Sequence, residues 1–178
     1  MKKNNKKFKE FKIRLAKLSD SQDIWKCRND KKTREMSENT KLVSWETHQK
    51  WFKEKLSNSK SILYIGETFD SHIIGIVRLD IVMKFSEISI ILNPKYRGLN
   101  LSHNLLLEVI NKFSEKNNIQ LKAKVKSINT ASKKCFIKSG FHLKKEEFGY
   151  QYYEYKKLPK LSFKFIANAC GIFTGKNI

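Results

Sequence analysis

The spacing of apolar positions changes period several times along the chain. Residues 12–16 alternate in polarity after Phe11 and predict a short strand. Ser19, with Gln22 three residues on, reads as a capping box opening a helix that runs to about Arg28. A second helix is predicted over residues 45–56, after Ser44. The period then drops to two. Residues 61–67 and 72–82, rich in Ile, Val and Leu and separated by a polar turn, predict a hairpin, and residues 85–92 a further strand stopped by Asn93-Pro94. Leu101, Leu105, Leu106, Val109, Ile110 and Phe113 recur at intervals of three and four, the mark of a long amphipathic helix. Residues 119–126 predict a strand and 129–138 a short helix closed by Gly140. Strands over 141–148 and 152–157, with Gly149 and Tyr150 at the turn, complete the pattern.

This order predicts an α+β, mixed α/β fold: a mostly antiparallel twisted sheet of six to seven strands flanked by about four helices. A chain of 178 residues fits one domain. We place it at 11–157, between a basic arm at 1–10 and a C-terminal extension at 158–178. At 40% hydrophobic residues the chain is not disordered, and no run reaches the ~18–20 apolar residues of a membrane span. The lysine-rich start lacks the apolar core of a signal peptide, so the expected location is cytoplasmic. Cys27, Cys135 and Cys170 form no CxxC pair, which argues against a disulfide framework and against a metal site.

Charge needs weighing. The net charge of +20 suits anionic ligands. Yet the basic set is 32 Lys against 5 Arg, spread along the chain, whereas base reading leans on Arg. Nucleic acid is therefore not the expected partner.

The chemistry concentrates in ISIILNPKYRGLNLSHNLLL, residues 88–107. A strand running through Asn-Pro and Arg97-Gly98 onto a helix turns free backbone N–H groups outward at the helix's positive end, a nest for phosphate oxygens. A plain tight turn explains Arg97-Gly98 equally well. The second segment, NTASKKCFIKSGF at 129–141, is another strand-to-helix unit.

Together the two segments resemble the GCN5-related N-acetyltransferase (GNAT) superfamily. Its pattern R/Q-x-x-G-x-G/A stands here as Arg97-Gly98-Leu99-Asn100-Leu101-Ser102, and its N-x-x-A-x-x-x-Y-x-K-x-G-F as Asn129, Ser132, Phe136, Lys138, Gly140 and Phe141. The resemblance implies an acetyl-CoA co-substrate held by Ile91, Leu92, Arg97, Gly98, Leu99, Asn100, Leu101, Ser102, Asn129, Lys133 and Phe136, and no metal. Two departures stand out. Asn100 and Ser102 replace the later glycines, and Phe136 replaces the tyrosine that often protonates the departing thiolate.

In the front half, Trp25-x-x-Arg28-Asn29, Arg34, His48-x-x-Trp51, Gly75-x-x-Arg78-Leu79-Asp80 and Glu87-Ile88-Ser89-Ile90 resemble acetyltransferases of nucleotide-linked amino sugars, nearest the pseudaminic-acid type. This implies a small-molecule amine acceptor, a sugar nucleotide, met by Arg28, Asn29, Arg34, His48, Trp51 and Arg78, and a homodimer as one assembly. Glu87 is the candidate base for the acceptor ammonium, with Ser89 orienting a water. A surface glutamate paired with lysine is the competing reading of Glu87, and core packing that of His48. Two other functions stay open: acetylation of protein N-termini or small amines, and a decayed module that binds CoA or a polyanion without chemistry.

Overall fold

The structure, a computed structural model, describes residues 11–156. The basic arm, the extension at 158–178 and Cys170 lie outside them. The strands are β1 (Lys12–Leu15), β2 (Ser61–Glu67), β3 (Ile73–Val82), β4 (Phe85–Leu92), β5 (Gln120–Lys126), β6 (Phe141–Glu147) and β7 (Tyr150–Tyr155). The helices are α1 (Ser21–Asn29), α2 (Lys31–Glu35), α3 (Trp45–Ser57), α4 (Leu101–Lys116) and α5 (Thr130–Lys138). All seven strands join one sheet in the order β1-β2-β3-β4-β5-β7-β6. Five pairings are antiparallel and β4–β5 is parallel.

Each face of the sheet buries its own core. On one face α4 and α5 cover Val77, Leu79, Ile88, Leu121, Ala123 and Val125, and the α4 residues at three-and-four spacing are all buried. On the other face Ile24 of α1 and Phe52 of α3 pack on Leu63, Ile65 and Ile76. None of the helices formed by the described residues is long and apolar enough to cross a membrane.

Three local expectations are corrected. The first helix is not opened by Ser19 and Gln22. A 3₁₀ turn at Leu18–Asp20 precedes α1, and the Asp20 carboxylate accepts from the Lys17 amide at 2.7 Å. The short helix α2 was not predicted; Asp30 caps it by accepting from the Thr33 amide at 2.9 Å. Finally, Tyr150 belongs to β7. The turn is Phe148-Gly149, both at positive φ (50° and 76°), the geometry of a two-residue hairpin turn whose twist matches its strands.

Candidate active site

The site begins where two strands part. β4 and β5 pair over three residues each, Phe85 to Glu87 against Gln120 to Lys122. Past Glu87 they separate, and β4 stays bonded only to β3. The Asn93 amide donates to the Ile74 carbonyl at 2.8 Å, which sets the phase of the β3–β4 ladder. Odd residues of β4 exchange hydrogen bonds with β3, so Ile90 and Leu92 aim their N–H and C=O groups into the gap. A cleft of about 520 Å³ occupies this gap, walled by Ser89, Ile90 and Ile91 on one side and Lys124, Val125 and Lys126 on the other.

Strand alternation then sorts the side chains. Glu87, Ser89 and Ile91 lie opposite Asp80, Arg78 and Ile76 of β3, on the face carrying α1 and α3. Glu87 is exposed, lines the cleft and makes no ion pair or side-chain hydrogen bond with any described residue. Asp80, directly across from it, is held by Lys55 at 2.8 Å, Ser61 at 2.7 Å and Arg78 at 2.9 Å. Burial works to raise the Asp80 carboxyl, but the Lys55 and Ser61 hydrogen bonds and the Arg78 charge outweigh it and leave the carboxyl below its ordinary value.

Beyond Leu92 the chain turns through Pro94–Tyr96 onto α4. Gly98 (φ 77°) and Asn100 (φ 60°) both adopt the left-handed conformation, so asparagine fills a glycine's place without changing the backbone. The Asn100 side chain does not cap α4. The Arg97 amide donates to the Pro94 carbonyl at 3.3 Å, whereas the amides of Gly98, Leu99, Asn100, Leu101 and Ser102 find no loop or turn carbonyl among the described residues. The α4 N-terminus thus presents open donors of the kind that hold an anion. Leu101 is buried in the core, so its backbone alone faces outward.

Several predicted residues take other places. Arg97 was expected to offer a free charge to phosphates; its Nη2 instead lies 2.6 Å from Asp30 Oδ2 and 2.6 Å from Thr33 Oγ1, tying the loop to α2. Burial alone would raise the Asp30 carboxyl, but the Arg97 hydrogen bond and the Thr33 amide bring it below its ordinary value. Asn29 does not reach the cleft, because its amide is committed both ways to the Val43 backbone, at 2.8 and 2.9 Å. Arg34 is likewise turned to the Asn29 and Thr40 carbonyls, at 3.1 and 2.9 Å. Both pin the segment between α2 and α3. Lys133 donates to the Ser127 carbonyl at 2.6 Å and borders a shallow groove with Ile137 and Leu143, not the cleft.

Arg28, His48, Trp51 and Arg78 do line the cleft. His48 is buried and stacks on Phe52 at 5.6 Å, and its Nε2 donates to the Ser21 carbonyl at 2.9 Å. Burial holds its pKa below the ordinary value, although the carbonyl pulls the other way. It is a packing histidine with a fixed tautomer. Asn129 lines the cleft and also caps α5, accepting from the Ser132 amide at 3.1 Å. Phe136 closes the cleft floor, edge-on to Phe141 at 5.0 Å. It has no proton to give.

The sequence reading missed the wall made by Met36, Ser37, Glu38, Asn39, Lys124 and Lys126, beside which Tyr150 also lines the cleft. The segment from Met36 to Asn39 is strapped across to β5: Lys124 Nζ lies 2.6 Å from Glu38 Oε1, and Lys126 Nζ donates to the Glu35 carbonyl at 3.0 Å. The alternation of Lys122, Lys124 and Lys126 with buried Leu121, Ala123 and Val125 was visible, but the sequence does not say which open face the lysines share. No group of three or more His, Cys, Asp or Glu among the described residues is arranged to hold a metal ion, and Cys27 and Cys135 are free.

Comparison with solved structures finds the same fold. Spermidine N-acetyltransferase from Vibrio cholerae, solved with CoA and spermine, superposes with a TM-score of 0.71 at 16% identity, covering 81% of this chain and 92% of that one. A domain from Methanocaldococcus jannaschii gives 0.72 at 18%, covering 82% and 97%. An aminoglycoside acetyltransferase solved with coenzyme A gives 0.72 at 14%, covering 83% and 95%. No curated protein matches the sequence significantly. The model of the acetyltransferase (GNAT) domain, however, matches residues 11–142, most of the chain, and so the chain belongs to the GNAT acetyltransferase family and is an N-acetyltransferase.

Proposed function

We propose that this enzyme moves an acetyl group from acetyl-CoA to the primary amine of an anionic small molecule, a nucleotide-linked amino sugar, by direct attack. The observation that carries the reading is the unpaired Glu87 carboxylate at the point where β4 and β5 separate. Acetyl-CoA supplies the activated acetyl thioester. The residues present fit it: the amides of Ile90 and Leu92 face the gap, and the uncapped turn from Gly98 to Ser102 suits a diphosphate.

Glu87 takes the proton from the acceptor ammonium, directly or through a water held by Ser89, and frees the nitrogen lone pair. The Leu92 amide, at the mouth of the gap, donates to the carbonyl oxygen as it gains charge. Asn129 bonds the pantetheine amides. Trp51 and Arg78, 5.8 Å from ring centre to guanidinium carbon, form one wall for the acceptor. The cationic cleft residues favour an acidic acceptor over a polyamine. The left-handed Asn100 supports an active enzyme over a decayed module, since the loop keeps its form without the usual glycine.

The test is CoA thiol release from acetyl-CoA across amino-sugar nucleotides, free amino sugars, spermidine and peptides. The sugar nucleotides should give the highest kcat/KM. Faster turnover of spermidine or peptides, or silence across the panel, would overturn the reading.

A further inference from the structure

Among the described residues, four cationic side chains line the cleft, and three are already engaged. Arg78 Nε lies 2.9 Å from Asp80 Oδ2. Lys124 Nζ lies 2.6 Å from Glu38 and 4.3 Å from the Tyr150 ring centre. Lys126 is bonded to the Glu35 carbonyl. Arg28 differs. No carboxylate of the described residues pairs with it. Its Nη2 donates to the Asn39 carbonyl at 2.6 Å, while Nη1 is buried and has no hydrogen-bond partner.

An unpartnered buried guanidinium N–H is expensive, because such a group leaves water only when something else receives its hydrogen bonds. Burial, and after it the like charge of Arg34, press the Arg28 pKa downward, so the surrounding protein disfavours this cation. The other arginine without a carboxylate, Arg34, meets carbonyls on two sides and lies off the cleft. The incomplete shell therefore belongs to one residue, on the same cleft as Glu87 and Ser89.

We propose that Arg28 is the anion receptor for the acceptor: its planar fork takes phosphate or carboxylate oxygens of the molecule whose amine is acetylated. The inference rests on the reading of this cleft as an acetyl-transfer site and names which arginine selects the acceptor. Arg28 lines the cleft and only its Nη2 is engaged, so the guanidinium keeps unused donors for a ligand. Two parallel N–H donors then match two oxygens, a geometry that a lysine cannot reproduce. The same residue rejects a polyamine, which would bring a second cation to an unpaired one.

Calorimetry of the CoA-loaded protein tests this, since saturating CoA occupies the diphosphate site at α4. Inorganic pyrophosphate and succinate are titrated into the parent, Arg28→Met and Arg28→Lys, and the ligand bound more tightly by the parent identifies phosphate or carboxylate as the source. Arg28→Met should weaken that ligand at least about tenfold and Arg28→Lys by less. In turnover, Arg28→Met should raise KM for an amino-sugar nucleotide by a similar factor, and KM for the phosphate-free amino sugar by much less. Unchanged affinity in both variants, or equal losses on acceptors with and without the phosphate groups, overturns the proposal. If Arg28→Met fails to fold, Arg28→Lys carries the test alone: it must lose affinity for the oxyanion while its melting temperature holds. Loss of oxyanion binding in variants of an enzyme that leaves sugar nucleotides untouched would keep the receptor and discard the acceptor reading.

Discussion

Replacing Glu87 with glutamine separates chemistry from folding. The carboxylate is exposed and has no partner among the described residues, so glutamine keeps its shape and breaks no contact. The neighbouring charges are balanced without it: Asp80 has Lys55 and Arg78, and Lys122, its register partner on β5, pairs with Glu154 at 3.1 Å. Unfolding free energy should thus move by less than about 0.5 kcal/mol. For a domain of this size that is a shift of only about 1–2 °C in Tm. Removing a positioned base, in contrast, costs about 10²–10⁴ in rate, or about 2.7–5.5 kcal/mol of transition-state stabilisation. The assay is thiol release at saturating acetyl-CoA from pH 6 to 9, beside a thermal melt. A Glu87→Gln enzyme within threefold of the parent, with the same pH profile, would remove Glu87 as the base. A large drop in Tm would show instead that the side chain holds the sheet together.

Gly98→Val should raise KM for acetyl-CoA at least about tenfold. A Cβ there meets nothing within 4 Å, but φ is 77°, so the cost is backbone strain of about 1–2 kcal/mol confined to the loop proposed to hold the diphosphate; an unchanged KM by steady-state kinetics would overturn that assignment. Arg14→Met should cost about 3 kcal/mol in urea unfolding, because it takes the guanidinium from two buried carboxylates, Asp20 at 2.7 Å and Glu67 at 2.7 Å, and leaves them only the Lys17 amide and Lys12. Burial pushes both carboxyls up, yet the Arg14 hydrogen bonds, with the Lys17 amide for Asp20 and Lys12 for Glu67, bring them below their ordinary 3.8 and 4.5. Depressed values stabilise the fold above those ordinary values, and the gain is lost as pH falls through the lower folded-state ones. The acid limb of the parent's stability curve should therefore flatten in Arg14→Met; an unaltered limb would show that these pairs do not govern acid unfolding.

The sheet was legible because its strands alternate cleanly. The ends of β4 and the N-cap of α5 could be read from Asn93-Pro94 and Asn129, where one side chain decides the local geometry. What stayed hidden depended on distance in space. Asn29 and Arg34 look like ligands in the sequence, and only the fold shows their donors turned to the Val43 and Thr40 backbone. Arg97 reads as a phosphate charge until Asp30, far from it in the chain, arrives at 2.6 Å. Lys124 and Lys126 could not be placed on the cleft, because nothing in their own segment says that β4 leaves β5 after three residues. Helix α2 is too short for a period, and its cap, Asp30, already belongs to the ion pair with Arg97.

The loss of the usual tyrosine weighs less than the gain of a free carboxylate, and ordinary acidities show why. An ammonium has no lone pair, so whatever its acidity it must lose its proton before it can attack. A departing thiolate, whose thiol has a pKa of about 8.5, is only about 1.5 units from bearing the charge unaided, or roughly 2 kcal/mol. Transfer from a thioester therefore depends more on removing a proton from nitrogen than on supplying one to sulfur. Phe136, packed edge-on against Phe141 at the cleft floor, gives up the smaller term. In the proposed mechanism Glu87, which has no ion-pair partner among the described residues, keeps the larger one. In the mechanism proposed above, the cation that this open carboxylate meets is the acceptor's own ammonium.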